Sequence, residues 1–218
     1  MGKKVMIISV IVSLISVIGG CSSTNQETEL LDESKPEIPA EKEENNMTEY
    51  EHLTTSNTVS DVVEHPAFNG FGRYVLPLEW HYDPTMKLSN VSSLLPYHNY
   101  VDADRAVGYI NEMIDMRAEG QQLYYDLRRK DAGLFFFPGK PGAPFAIFCP
   151  GGGFSYVGSI HEGFPLALEA SKKGYNAFVI QYSCERGAQG AVEDLAAGID
   201  FIFDHADELG VSTDDYSL

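Results

Sequence analysis

Residues 144–182 read as a strand, a glycine loop, a helix and a second strand, and this order constrains the fold more than any other stretch of the chain. Residues 145–149 form a short apolar run closed by Pro150, and residues 175–182 form another, rich in β-branched and aromatic side chains. Such runs suit strands buried on both faces, as in a parallel sheet. One helix's worth of chain lies between them. Pro165 fits the first helical turn, where its missing N–H costs nothing, Lys172 and Lys173 suit the negative helix end, and Gly174 suits a left-handed residue after it. Ser159 and Glu162 also have capping-box spacing, but a helix starting there would enclose Pro165, so the later start is preferred.

The loop itself carries Gly151, Gly152 and Gly153. Three glycines after a buried strand leave N–H groups uncovered by side chains, so a substrate oxygen can approach to hydrogen-bonding distance, as an oxyanion hole requires. A plain glycine turn or a phosphate loop are the alternatives. The dinucleotide pattern G-x-G-x-x-G and the Walker Gly-Lys-Ser/Thr are both absent.

The run Phe-Cys-Pro-Gly-Gly-Gly-Phe-Ser-Tyr, followed by His-Glu-Gly-Phe-Pro-Leu-Ala and Gly-Tyr-Asn-Ala-Phe-Val-Ile-Gln-Tyr, resembles the α/β-hydrolase superfamily. The resemblance is to its serine esterase and acetylesterase-like branch, related to the hormone-sensitive-lipase group, and covers roughly residues 126–218. It implies an α/β-hydrolase fold in which a His-Gly-Gly-Gly or Pro-Gly-Gly-Gly loop after the third strand supplies oxyanion-hole N–H groups. By position these would be Gly152 and Gly153. Pro150 stands where many relatives carry His, a change that leaves the backbone donors in place.

The N-terminus has Lys3 and Lys4, an apolar run over residues 5–18, and Gly19-Gly20 before Cys21. Residues 1–20 are read as an export signal, too short for a membrane span. Ile18-Gly19-Gly20-Cys21 resembles a bacterial lipobox, which implies a lipidated Cys21 and a place in the bacterial cell envelope, anchored to the membrane. Residues 21–58, rich in Glu, Ser, Thr, Asn and Pro, are read as a disordered acidic tether because they cannot bury enough apolar surface to offset chain entropy. The formal net charge of -17 and the absence of a basic stretch argue against nucleic acid.

Residues 59–125 are read as an N-terminal extension. They offer a strand over 71–77, a loop with Trp80, His81 and Tyr82, and a helix capped by Asp102 or Asp104 and ending at Gly120. The aromatics are expected in the core, with a sugar-binding face as the alternative. Residues 126–218 are read as the front of the hydrolase domain, with a strand at 134–138 and a helix at 189–209. On that helix Val192, Leu195, Ile199, Ile202, Ala206 and Leu209 form the apolar stripe.

No Gly-x-Ser-x-Gly nucleophile elbow occurs in the 218 residues. Gly153-Phe154-Ser155 is the nearest match, but its next glycine, Gly158, comes one position late, and Ser155 follows the wrong strand. The resemblance implies the order Ser, Asp or Glu, His, so neither His161 nor His205 can be the base. His161 is expected at the start of a helix and His205 exposed on an acidic face.

The reading is therefore the front portion of a lipid-anchored serine ester hydrolase, acting on short acyl esters or carbohydrate acetyl esters and needing no cofactor or metal. It supplies the oxyanion-hole loop and lacks the triad, so the 218 residues are expected to be inactive alone and poorly stable, with the strand at 145–149 left bare on one side. A non-catalytic, glycan-binding surface lipoprotein is the alternative. Cys149 and Cys184 follow what the resemblance makes adjacent parallel strands. Two separate thiols are preferred over a disulfide, which needs Cα atoms within about 7 Å.

Overall fold

The computed structural model describes residues 49–96 and 101–218. The signal, Cys21 and most of the expected tether lie outside the described residues. Among the described residues a five-stranded sheet contains β1 (Tyr124–Arg129), β2 (Ala132–Phe137), β3 (Ala143–Phe148), β4 (Asn176–Gln181) and β5 (Val211–Ser217), in the order β1-β2-β4-β3-β5. β2 runs antiparallel to both β1 and β4, and β3 runs parallel to both β4 and β5. The third strand thus sits between the fourth and the fifth, as the resemblance implied.

β2 and β4 are buried at every position, which is why residues 132–137 and 177–180 are apolar without alternation, while Asn176 and Gln181 at the ends of β4 are buried with hydrogen-bond partners. Their side chains nevertheless divide between two cores. Phe135, Phe137, Ala177 and Val179 face one, which α3 (Phe164–Lys172) covers with Phe164, Ala167 and Leu168. Leu134, Phe136, Phe178 and Ile180 face the other, covered by Phe201 and Ile202 of α4 (Gly187–Asp204). Helices on both faces of a mixed sheet make this an α/β fold.

The N-terminal segment joins the α3 side. α1 (Val59–Val63) is closed by a capping box of Thr58 and Asp61. α2 (Ala103–Ala118) is capped by Asp102, which accepts from the Arg105 N–H at 3.1 Å, and buries Ala106, Val107, Ile110, Met113 and Ile114 at helical spacing. Residues 49–58, expected within the tether, pack onto α2. Leu53 is buried, its N–H donates to Asn111 at 2.8 Å, and Asn111 donates back to the Leu53 carbonyl at 2.9 Å.

Three other expectations are corrected. Residues 71–77 form no strand: a 3₁₀ turn spans Gly72–Tyr74, because Phe71 stacks on Tyr124 at 5.2 Å and Gly72 lies so close to Val63 that a Cβ would be 2.2 Å from its carbonyl oxygen. The long helix breaks at His205 into α4 and α5 (Ala206–Leu209), with left-handed Gly210 after it. Its buried stripe is Gly190, Asp194, Gly198, Phe201 and Ile202, and Val192 is 65% exposed. Finally, β3 is not bare. β5 pairs with it from Ala143↔Val211 to Ala146↔Ser217, so among the described residues the edge strand on this side is β5, whose residues from 214 onward are exposed.

Candidate functional site

β3 and β4 are parallel neighbours whose connections leave for opposite faces, α3 to one core and α4 to the other. That is a topological switch point, and ligands in such sheets bind beyond the carboxyl ends of the strands. The glycine loop lies there, directly after β3. Gly152 has φ 141°, Gly153 φ 59° and Phe154 φ 59°, so three successive residues occupy the region L side chains avoid. At Gly152 a Cβ would stand 2.0 Å from the Tyr156 carbonyl oxygen, so only glycine fits.

The loop is held from several sides. Gly158 N–H donates to the Gly151 carbonyl at 2.9 Å and Ser155 N–H to the Gly152 carbonyl at 3.0 Å. Gly151 N–H donates to Glu162 Oε2 at 2.5 Å, and Tyr182, at the end of β4, donates its hydroxyl to the Pro150 carbonyl at 3.0 Å. Phe154 leaves the loop exposed, its ring 6.1 Å from that of Tyr182. Among the described residues neither Gly152 N–H nor Gly153 N–H has an acceptor, and both glycines retain solvent access. Two adjacent uncommitted donors on a fixed backbone can receive an oxygen that gains negative charge.

Glu79 joins the end of β4 to the chain that follows the glycine loop. Its Oε1 accepts from Gln181 Nε2 at 2.8 Å and its Oε2 from Val157 N–H at 3.4 Å. Burial pushes its carboxyl above the usual range, against the pull of those two donors. Burial also raises Tyr182, and it raises the Cys184 thiol to about 12, with the Glu79 charge adding to the effect. Cys149 is raised by burial too, so neither thiol is a ready thiolate at neutral pH. Both cysteines are free, in line with the preferred reading of two separate thiols.

The remaining sequence candidates fall as follows. His161 lies in a single π-helical turn, Ser159–Gly163, that leads into α3, with Nε2 3.4 Å from Glu162 Oε1. His205, expected exposed, is packed: its ring lies 4.5 Å from that of Phe201 and its Nδ1 2.9 Å from Glu208. Trp80 and Tyr82, expected in the core, are 58% and 51% exposed, while Phe71 is buried. A cleft of about 350 Å³ between α2 and the π turn is lined by Asp102, Arg105, Tyr109 and His161, but not by Gly152 or Gly153. Sequence reasoning missed Glu79, Gln181 and Tyr182 as site residues. Glu162 gave a signal, its capping-box spacing, but its carboxylate caps the loop at Gly151 rather than the helix.

No protein-family model and no curated protein matches the chain. Among solved structures it is similar to MGS-M1, an alpha/beta hydrolase enzyme from a Medee basin deep-sea metagenome library, at 26% identity and TM-score 0.39, covering 43% of this chain and 43% of that one. It is similar to Est2, a thermophilic esterase from the Planctomycetes species Thermogutta terrifontis, at 20% identity and TM-score 0.39, covering 43% and 38%. EstE1, a thermophilic and thermostable carboxylesterase cloned from a metagenomic library, matches at 26% identity and TM-score 0.34, covering 39% and 30%. These three solved chains are thus described as an alpha/beta hydrolase enzyme, an esterase and a carboxylesterase, and each match spans less than half the length of the solved chain.

Proposed function

We propose that this chain supplies the oxyanion-hole part of a serine ester hydrolase acting on short acyl esters, including acetyl esters of carbohydrates. The observation that carries the reading is the pair of uncommitted N–H groups at Gly152 and Gly153, on a strained loop beyond the carboxyl end of β3. The 218 residues contain no Gly-x-Ser-x-Gly, so the proposal assigns the oxyanion donors and leaves nucleophile and base unassigned. The lipobox-like segment adds a diacylated Cys21 and an extracytoplasmic, membrane-anchored place in a bacterial envelope.

The test reads the codons following Leu218 for a Gly-x-Ser-x-Gly and assays p-nitrophenyl acetate hydrolysis by the polypeptide that carries both segments. Gly152→Ala there keeps the N–H but displaces it, and is expected to lower kcat by about 10²-fold. An unchanged kcat, or no such motif in any frame, overturns the reading. A second reading, a glycan-binding lipoprotein without catalysis, is favoured by the exposure of Trp80 and Tyr82. Trp80 is the single tryptophan, so a change in its fluorescence with acetylated oligosaccharide, from a polypeptide that hydrolyses no ester, would select that reading.

A further inference from the structure

Among the hydrogen bonds that fix the glycine loop to other segments are those of Glu162, Tyr182 and Glu79, and the last comes from far away in sequence. Glu162 and Tyr182 belong to the same strand–helix–strand unit as the loop. Glu79 belongs to the N-terminal segment and reaches 78 residues forward to Val157 and 102 residues forward to Gln181. It spans from the buried end of β4 to the far end of the loop, while Gly158 N–H to the Gly151 carbonyl closes that loop on itself.

We propose that Glu79 is a positioning residue for the loop: its carboxylate ties Val157 N–H to Gln181 and thereby sets the pose of the Gly152 and Gly153 N–H groups. The inference rests on reading those two groups as oxyanion donors. It makes the N-terminal segment part of the site rather than an appendage.

The chemistry gives the contact a proton dependence. An ionised carboxylate accepts at both oxygens, whereas a protonated one turns an oxygen into a hydroxyl. The Val157 contact, at 3.4 Å, is the longer and weaker of the two, so it is the one a proton on Oε2 would release. The groups around Glu79 are Gln181 of β4, Tyr182 and Cys184 after it, and Arg73, whose charge favours the ionised form; burial works the other way and dominates. The sign follows. A carboxyl raised in the fold contributes stability that is fully present below its ordinary value of 4.5 and is lost as pH rises through the raised value.

The test uses the full 218-residue chain labelled with ¹⁵N and ¹³C. In the wild type, the amides of Val157, Gly152 and Gly153 and the Glu79 carboxyl carbon are expected to titrate with one shared midpoint above 4.5. Glu79→Gln should abolish the step at all three amides and remove the stability lost with rising pH. Glu79→Asp should keep a shifted step, and Glu162→Gln should keep it while altering Gly151. If the three amides titrate at a midpoint different from the Glu79 carboxyl, or the step survives Glu79→Gln, the proposal is overturned; the first comparison requires no variant to fold. A step at Val157 alone also overturns it. Failure of the hydrolase reading shows separately, as unchanged ester turnover in Gly152→Ala with the shared titration intact.

Discussion

Replacing Gly152 by Ala puts one methyl group where the loop has no room. The added Cβ would lie 2.0 Å from the Tyr156 carbonyl oxygen, 2.8 Å from its carbonyl carbon and 3.0 Å from Cδ2 of its ring. Ordinary carbon contacts begin at about 3.5 Å, so the clash needs a relative shift of about 1 Å or more. Tyr156 is fully buried and cannot retreat, so the displacement falls on residues 151–153. The φ of 141° adds strain of about 1–3 kcal/mol in any residue with a Cβ. Because residues 151–154 lie outside both cores, unfolding free energy should fall by about that amount and the sheet should be unaffected. A displacement of about 1 Å is enough to cost about 10²-fold in a reaction that depends on the loop's donors. The assay combines urea denaturation with amide chemical shifts for residues 151–158. An Ala variant with the wild-type urea midpoint and unmoved loop amides would refute the reasoning, since the loop would then not have the geometry described.

Asp194 is fully buried and accepts from Arg129 Nε at 2.7 Å, Arg186 at 2.5 Å and Ser183 N–H at 2.9 Å. Asp194→Ala should cost about 3 kcal/mol, the low end for a broken buried pair because both arginines keep access to water, and a urea midpoint within error of wild type would exclude the role. Tyr182→Phe removes the hydroxyl that donates to Pro150 and should cost about 1 kcal/mol while mobilising the loop; hydrogen exchange at residues 151–158 checks it, and unchanged protection there counts against the contact. Cys21→Ala should abolish acyl mass and membrane partitioning, and a variant that fractionates and weighs as the lipidated protein does would sink the anchor proposal.

The parts of the fold that were legible in the sequence are those where one local rule decides. Residues 177–180 are buried on both faces and apolar throughout, and Asp102 caps α2 because a carboxylate there satisfies an otherwise orphaned N–H. The solvent access of the backbone at Gly152 and Gly153 was legible because a glycine run carries no side chains to cover it. What escaped was decided by packing between distant segments. Residues 71–77 have strand propensity, yet Gly72 is pressed against α1 and Phe71 stacks on β1, so tertiary contact overrides propensity. Asp194 escaped because nothing in a helical pattern marks one aspartate as paired with two arginines, one of them 65 residues away. Glu79 escaped for the same reason, its partners lying 78 and 102 residues further on.

The arrangement also explains why the two donors stay uncommitted. A backbone N–H with no acceptor normally refolds toward one, and a flexible Gly-Gly-Gly would close on its own carbonyls. Here the neighbouring groups are already used: the Gly151 carbonyl by Gly158, the Gly152 carbonyl by Ser155, the Pro150 carbonyl by Tyr182 and the Gly151 N–H by Glu162. Positive φ at Gly152, Gly153 and Phe154 belongs to a loop conformation in which, among the described residues, neither remaining N–H meets an acceptor. Several ordinary hydrogen bonds, each worth about 1 kcal/mol net, offset strain of about 1–3 kcal/mol and leave two donors fixed before any ligand arrives. Such fixed donors are most effective where charge develops during a reaction, because no reorganisation is left to carry out at that moment.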